Sequence, residues 1–490
     1  MKFISTRGGC APLPFSETVL AGLAPDGGLF MPEDIPDVSG ELESWRAYSF
    51  QQLCEAIFSR YTGESLDSSV LADLIERSYR RFDHPEVTPL VGLGGLFVLE
   101  LFHGPTLAFK DVALQFLGSL FEHLLERAGG RLTVLGATSG DTGGAAIHAL
   151  RGRRRIEAFI LHPRGRVSPM QELQMTTVPD ANIHCIAVEG SFDDAQAIVK
   201  RLFTDRPFNG EVRLGAVNSI NWARLMAQIV YYFYAYFRLL DRPAGVLPGG
   251  RAMALGDPVR FAVPTGNFGH IMAGLLAKRM GLPIERLVLA TNVNDILHRF
   301  VRTGVYRAGT VSQTWSPSMD IQVASNFERY LFELADRDSA RLRSWMADFE
   351  RGGELTVEPE RFARVERDFL SAAVDEDTTV ETIRQVHREH GYLLDPHSAV
   401  GVAAAAAQVG KADATPTVCM ATAHPAKFGE AIRTAIGEEP PLPAALVGLD
   451  RLPARVEVLP ADRERIKGFI RETLASRAEA AEPSRPVEAR

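Results

Sequence analysis

Cysteine is scarce: Cys10, Cys54, Cys185 and Cys419 are scattered over 490 residues, and no two of them form a C-x-x-C pair. That spacing excludes a disulfide scaffold and a cysteine-built zinc site, and fits structural thiols in a reducing compartment. Long apolar runs are missing too. The longest small-residue run, Ala399 to Ala407, falls well short of the roughly 20 residues a membrane span requires. The start, Met1 to Arg7, is polar and has too short an apolar stretch for a signal peptide. Nor is there an excess of positive charge: 53 Lys and Arg face 61 Asp and Glu, for a net charge of −8. A surface of that sign argues against nucleic acid or an anionic membrane as the main partner. The basic run Arg151-Gly152-Arg153-Arg154-Arg155 has no accompanying aromatic or groove-reading element and reads as a solvated turn between a helix and a strand. These absences together predict a soluble, cytoplasmic protein.

A hydrophobic fraction of 46% with 23% charged residues is ordinary for a globular enzyme. The length allows two or three cores at roughly 100–200 residues per domain. Residues 1–85 read as a helical module with a short leading strand, closed by His84-Pro85 and Thr88-Pro89. From Leu90, apolar β-rich runs alternate with helical patterns. The strand candidates are Phe97–Leu101, Leu132–Leu135, Ala158–Leu161, Ile183–Ala187, Arg260–Val263 and Val288–Ala290. Such alternation predicts an α/β fold of βα units around largely parallel sheets, over residues 86–450. The stretch Leu239–Pro258, rich in Gly, Pro and Arg and without periodicity, reads as an inserted surface loop. Residues 451–490 read as a C-terminal helix and a tail that is disordered from about Ala475. No internal repeat is evident.

What the chain does contain is a lysine in an apolar frame. In Phe102-His103-Gly104-Pro105-Thr106-Leu107-Ala108-Phe109-Lys110-Asp111, Lys110 falls just before an amphipathic helix marked by Val112, Ala113, Phe116, Leu117, Leu120, Phe121 and Leu124. The positive end of the helix dipole and the neighbouring Phe102, Leu107 and Phe109 both disfavour the ammonium form. A neutral amine is a nucleophile, prepared to form a Schiff base with a carbonyl. The plainer alternative is a lysine snorkelling from a helix start with its stem on apolar surface.

Two strand–loop–helix junctions and one further helix start stand out. In Val263-Pro264-Thr265-Gly266-Asn267-Phe268-Gly269, glycines let successive N–H groups turn inward at a helix N-terminus, a nest suited to a phosphate; the alternative is a simple turn. Thr138-Ser139-Gly140-Asp141-Thr142-Gly143 is a second such junction. Asn218-Ser219-Ile220-Asn221-Trp222-Ala223-Arg224 opens a helix with Arg224 in its first turn. The helix dipole disfavours a cation there by roughly 0.3–1 kcal/mol, so either a bound anion or a salt bridge to a nearby carboxylate is expected. His387 and His390 stand one helical turn apart with no third ligand in view, so no metal site is expected.

The lysine segment resembles the cofactor-lysine segment of threonine synthases, which are pyridoxal phosphate enzymes of the tryptophan-synthase-β-like fold, fold type II. The resemblance extends over nearly the whole chain. Pro25-Asp26-Gly27-Gly28-Leu29-Phe30-Met31-Pro32 is similar to the family's N-terminal signature. The Thr138–Gly143, Pro163–Pro169, Val217–Asn221, Gly266–Gly269, Ala290–Asp295 and Thr422–Phe428 motifs follow in the family's order. The resemblance implies that Lys110 holds pyridoxal 5'-phosphate and that Gly266, Asn267, Phe268 and Gly269 take its phosphate. It places Asp141 near the cofactor's phenolic oxygen and the Thr422 hydroxyl at its ring nitrogen. Thr138, Ser139 and Thr142 would take the substrate carboxylate, and Asn218, Ser219 and Arg224 the leaving phosphate. Asp395-Pro396-His397-Ser398 also resembles a family motif, with no role beyond packing or capping a helix. The implied reaction is γ-elimination and β-addition on O-phospho-L-homoserine, giving L-threonine and phosphate, in a monomer or homodimer with a closing domain. Two readings compete with it: a related phospho-lyase or deaminase that releases a 2-oxo acid, and a cofactor-free regulatory relative, against which the intact Lys110, Gly266–Gly269 and Thr422 argue.

Overall fold

The computed structural model describes residues 1–408 and 414–481. Contacts divide the chain into two units: residues 1–121 with 218–447, and residues 122–217 with 448–490.

The first unit is built on a six-stranded sheet. Its order is Phe369–Ala373, Ile284–Thr291, Val259–Pro264, Thr417–Ala421, Leu96–Glu100, Leu90–Leu93. All neighbours run parallel except the edge hairpin of Leu90–Leu93 with Leu96–Glu100. Parallel strands are covered on both faces and are therefore apolar throughout. Val259–Pro264 and Thr417–Ala421 accordingly have no exposed position. The Ala399–Ala407 run lies in the helix Pro396–Gln408, whose small side chains join the core of this sheet with Val98, Ala262, Val288 and Cys419. The N-terminal residues add a three-stranded antiparallel sheet, Leu13–Pro14, Lys2–Ser5 and Phe30–Pro32, with the helices Phe15–Ala21, Phe50–Thr62 and Ser68–Tyr79. Only its first strand was legible in the sequence.

The helix carrying the lysine spans Lys110–Ala128, so Lys110 is its first residue and not the one before it. This helix is also less amphipathic than its sequence suggests, since every position from Lys110 to Phe121 is buried. Polar Ser119 is accommodated within it, because its Oγ donates to the main-chain carbonyl of Gln115 at 3.1 Å and accepts from Ser78 Oγ at 3.2 Å.

The second unit is a five-stranded, wholly parallel sheet ordered Val456–Pro460, Ile183–Glu189, Ile156–Pro163, Leu132–Ala137, Leu214–Gly215. Its core joins Leu135, Phe159, Leu161, Ile186 and Val188 to Ile198 and Leu202 of the helix Phe192–Thr204 and to Ile466 and Ile470 of the helix Arg463–Ala481. The tail expected to be disordered from about Ala475 is thus helical as far as Ala481, a continuation of the helix that packs there; residues 482–490 lie outside the described residues. The strand Val456–Pro460, an edge strand with Glu457 among apolar residues and only Leu459 buried, was not anticipated. The basic run is tied down by carboxylates: Arg151 pairs with Asp180 and Arg153 with Glu122, each at 2.7 Å.

The six strand candidates all form. The helix Trp222–Leu240 extends into the expected inserted loop, and the rest of that loop is irregular apart from two short 3-10 turns, Ala244–Val246 and Pro248–Gly250. All four cysteines are free, and three are buried.

Candidate active site

Lys110 reaches its place through a loop zipped against the end of a core strand. Leu101 N–H donates to the Ala421 carbonyl at 2.9 Å, Phe109 N–H to the Thr422 carbonyl at 2.8 Å, and His424 N–H to the Leu107 carbonyl at 3.1 Å. Leu107 takes a left-handed conformation, φ 59°, to make the turn. Asp111 holds the same loop from inside. Its carboxylate accepts from Thr106 N–H and from Thr106 Oγ1, each at 2.8 Å, while Lys427 Nζ donates to the Thr106 carbonyl at 2.8 Å. Complete burial pushes the Asp111 pKa up to about 6, against the lowering pull of its Thr106 hydrogen bonds and of the Lys427 charge. Asp111 and Lys427 were missed as site residues. Both stand within motifs that the sequence marked, Phe102–Asp111 and Thr422–Phe428.

Lys110 is only 7% exposed. Its Nζ donates to Ser318 Oγ at 3.1 Å and lies 5.4 Å from the centroid of the Phe109 ring. Phe109 is stacked on His270, with centroids 4.9 Å apart and planes 16° from parallel. Burial holds His270 neutral, with its pKa down at about 3.

Gly266–Gly269 forms the turn from the strand Val259–Pro264 into the helix Gly269–Arg279. A Cβ on Gly266 would come within 2.5 Å of the Ser318 carbonyl, a backbone atom that cannot swing aside. Phe268, at the N-cap with φ 64°, has no side-chain acceptor for the N–H groups of the first turn. Those donors remain for an external anion at the positive end of the helix. With a buried primary amine, a hydroxyl at 422 and this nest all in the first unit, the donor set fits a phosphorylated aldehyde such as pyridoxal phosphate. Both backbone groups of Thr422 are committed, its C=O to Phe109 and its N–H to Ser398 Oγ at 3.0 Å, so any role of this residue rests with its hydroxyl.

The turn before the helix Trp222–Leu240 is shaped by two asparagines. Asn218 Oδ1 accepts from Ile220 N–H at 3.3 Å, and Asn221 Oδ1 caps the helix by accepting from Ala223 N–H at 3.1 Å. Asn218 is exposed and Ser219 half-buried. Arg224 is 3% exposed, and burial lowers its pKa to about 10, with Tyr231 acting in the opposite direction.

In the second unit, Thr138–Gly143 joins the strand Leu132–Ala137 to the helix Asp141–Leu150. The Thr138 hydroxyl is spent within the loop: it donates to the Gly140 carbonyl at 3.1 Å and accepts from Gly140 N–H at 3.0 Å and Gly143 N–H at 2.8 Å. Ser139 and Thr142 are half-buried. Asp141 accepts from Gln171 Nε2 at 2.7 Å, and the same amide crowds Gly140 (φ 150°), where a Cβ would meet Gln171 Oε1 at 2.5 Å. Gln171 thereby orients Asp141, and nothing in the sequence pattern had marked it. His387 and His390 are exposed at the end of the helix Glu376–His390, and no cluster of three metal-ligating side chains occurs among the described residues.

Comparison with known proteins gives consistent matches. Family profiles described as "Threonine synthase N terminus", "Pyridoxal-phosphate dependent enzyme" and "Threonine synthase, C-terminal" match residues 2–79, 82–360 and 398–470. The chain is 49% identical to threonine synthase of Schizosaccharomyces pombe, over 89% of each chain. It is 46% identical to that of Pseudomonas aeruginosa, over 96% of this chain and 98% of the relative. A crystal structure of pyridoxal phosphate-bound threonine synthase from Brucella melitensis, 45% identical, superposes with a TM-score of 0.90 over 96% of this chain and 99% of its own.

Proposed function

The chain belongs to the threonine synthases, pyridoxal phosphate-dependent lyases of fold type II, and we propose that Lys110 is its cofactor lysine and that its substrate is O-phospho-L-homoserine. Pyridoxal phosphate, when bound, supplies an electron sink for negative charge developing on the substrate carbons. Gly266, Asn267, Phe268 and Gly269 would hold its phosphate on the N–H groups of the first helical turn. The Thr422 hydroxyl would face its ring nitrogen, and Asp141, oriented by Gln171, its phenolic oxygen. A hydroxyl partner leaves the ring nitrogen less protonated than a carboxylate would, which suits elimination and addition better than transamination.

The rest of the chemistry falls to the chain's own groups. Ser139, Thr142 and the loop N–H groups would take the substrate carboxylate, on a loop braced by Thr138. Asn218, Ser219 and Arg224 would hold the γ-phosphate. Lys110, its amine displaced by that of the substrate, would take protons from Cα and Cβ as phosphate leaves Cγ, and would give one to Cγ to form the methyl group. It would return the proton to Cα after water adds at Cβ, with the departed phosphate as base for that water. Exclusion of water before elimination is required, since early hydrolysis would spend the substrate.

The observation that carries the substrate reading is Arg224. It keeps a positive charge buried in the first turn of a helix, where dipole and desolvation both oppose it and a bound phosphate offsets both. The reducing interior suggested by four free cysteines makes the cytoplasm the proposed compartment. No described helix is long and apolar enough to cross a membrane.

The test is phosphate release from O-phosphohomoserine with the organic product identified. Threonine in equal amount supports the reading; a 2-oxo acid in its place supports the phospho-lyase alternative. Lys110→Ala should abolish turnover and the visible absorbance of the lysine-bound cofactor while the protein stays folded. A variant that kept more than a trace of the wild-type rate would show that another residue does this work.

A further inference from the structure

Two motifs, Asp395-Pro396-His397-Ser398 and Ala290-Thr291-Asn292-Val293-Asn294-Asp295, take no part in the reaction as described above, yet both converge on one loop. We propose that the buried Asp395–His397 pair is a positioning device for the cofactor lysine: it fixes Ser318, whose hydroxyl receives the Lys110 amine. The proposal rests on the reading of Lys110 as the cofactor lysine.

Asp395, His397 and Ser398 are 1%, 3% and 2% exposed. Asp395 begins the helix Pro396–Gln408, and its carboxylate accepts from His397 N–H at 2.9 Å and Ser398 N–H at 3.3 Å. Capping alone would be served by Asn or Ser and would make no demand on the two residues that follow. Here both following side chains are used. His397 Nδ1 lies 2.9 Å from Asp395 Oδ1, and its Nε2 lies 3.2 Å from the backbone nitrogen of Ser318. A backbone N–H can only donate, so Nε2 must accept. The ring proton then sits on Nδ1 and points to Asp395. Only the neutral ring in this tautomer satisfies both contacts, and Asp395 is the group that selects it.

Ser318 is where the site's parts meet. Its N–H goes to His397, its Oγ accepts from Lys110 Nζ at 3.1 Å, and its carbonyl is the atom that a Cβ on Gly266 would strike. The other motif holds the loop from its far side. Asn292 Nδ2 donates to Thr314 Oγ1 at 2.9 Å, Ser316 Oγ at 3.0 Å and Asp320 Oδ1 at 2.8 Å, and Asn294 Nδ2 reaches Asp320 Oδ1 at 3.1 Å. Asp395 also has a second arm. Its Oδ2 accepts from Ser398 Oγ, which in turn accepts from Thr422 N–H. One buried carboxylate therefore sets the hydroxyl beside the lysine amine and the backbone of the residue proposed for the ring nitrogen. A lysine side chain has four rotatable bonds, and fixing its amine against a rigid hydroxyl lowers the entropy lost when it attacks the aldehyde.

The test follows formation of the lysine–cofactor bond and not product. Full-length variants freed of cofactor are recombined with pyridoxal phosphate while the visible absorbance is recorded, and thermal melting is measured in parallel. Ser318→Ala should slow bond formation about fivefold, the factor carried by one net hydrogen bond of roughly 1 kcal/mol. His397→Ala should slow it by a similar factor. The double variant should be no slower than the worse single, because both act through one contact. His397→Gln should restore most of the rate, since its side-chain oxygen can take the place of Nε2 as acceptor for Ser318 N–H. If His397→Ala lowers the melting temperature but leaves the rate at the wild-type value, or if the two losses multiply in the double variant, the positioning role is wrong. Should His397→Ala fail to fold, Ser318→Ala and His397→Gln decide: a wild-type rate in Ser318→Ala overturns the proposal, and slowing in Ser318→Ala with a near-normal rate in His397→Gln upholds it. Loss of the visible band in Lys110→Ala separates this outcome from failure of the underlying lysine assignment.

Discussion

Asn326 donates from Nδ2 to Ser219 Oγ and to the Asn267 carbonyl, each at 3.2 Å, so one buried amide ties the turn before the helix Trp222–Leu240 to the turn before the helix Gly269–Arg279. Its backbone N–H adds a third contact, to the Asn267 carbonyl at 3.0 Å, and its Oδ1 accepts from Arg329. Arg329 is fully buried and donates as well to the carbonyls of Phe30 at 3.0 Å and Ile220 at 2.6 Å. Burial brings its pKa down to about 9, against the upward pull of Glu328. The turns proposed for the two phosphates are thus parts of one network that reaches the N-terminal sheet.

Asn326→Ala should therefore weaken both phosphate functions at once. It leaves an Arg329 N–H and part of the Asn267 carbonyl without partners, at a cost of about 1–3 kcal/mol in stability. Cofactor affinity and the apparent affinity for O-phosphohomoserine should fall together. Denaturant melts, cofactor titration and steady-state kinetics measure the three quantities. A loss of stability with both affinities unchanged would show that the network only packs.

Arg224→Leu separates the substrate's phosphate from the cofactor's. Deleting one partner of a buried charge-assisted contact costs roughly 2–4 kcal/mol, or about 30- to 1000-fold in kcat/KM. Because the phosphate is also the leaving group, part of the loss should appear in kcat. Cofactor titration should give a near-normal affinity. If the cofactor is released instead, the two anion turns are assigned the wrong way round.

Thr422→Asp should protonate the cofactor ring and strengthen it as an electron sink. Threonine formation should slow, with a larger share of product from transamination-type side reactions, measured by product analysis. An unaltered rate and product distribution would mean that residue 422 does not face the ring nitrogen.

His103 predicts a pH dependence of stability. Its Nδ1 lies 2.7 Å from Asp83 Oδ1 and its Nε2 2.8 Å from Glu100 Oε2. Burial alone would lower its pKa, but hydrogen bonds to Glu100 and Asp83 outweigh burial and the net shift is upward. For Glu100, burial acts upward, and hydrogen bonds from His103 and Tyr392 reverse it to a net lowering. A raised histidine pKa stabilises the fold fully below the ordinary value of about 6.5, and this contribution is lost as pH rises through the folded-state value. The Glu100 contribution is present above its ordinary value of about 4.3 and is lost as pH falls through its lowered one. Denaturant melts of the wild type should thus show stability declining above about pH 6.5, by no more than about 1 kcal/mol since the group is partly exposed. His103→Asn should flatten that decline; an identical slope in the variant would rule His103 out as its source.

The amino-acid sequence by itself determined the βα alternation, the six strands it marked, and the turns that open the helices Asp141–Leu150, Trp222–Leu240 and Gly269–Arg279. Each of these follows from local rules: apolar runs of strand length, glycines where N–H groups turn inward, asparagine at a helix start. It determined Lys110 as well, through an apolar frame visible in ten consecutive residues. It did not show the strand Val456–Pro460, since a largely exposed edge strand that carries Glu457 lacks the buried signature of its neighbours. It misplaced the start of the lysine helix by one residue and overstated its amphipathicity, because burial on every side comes from elements distant in the chain. Tertiary structure alone decided what Lys110 touches. Ser318 is 208 residues away, His397 lies 79 residues beyond Ser318, and Asn326 stands 107 residues from Ser219. Hydrogen bonds across such separations carry no periodic signal, and a serine, a histidine or an asparagine in a loop looks the same whether it faces water or a lysine. Only the packing of parallel strands side by side brings their loops to one end of the sheet, and there these residues acquire their partners.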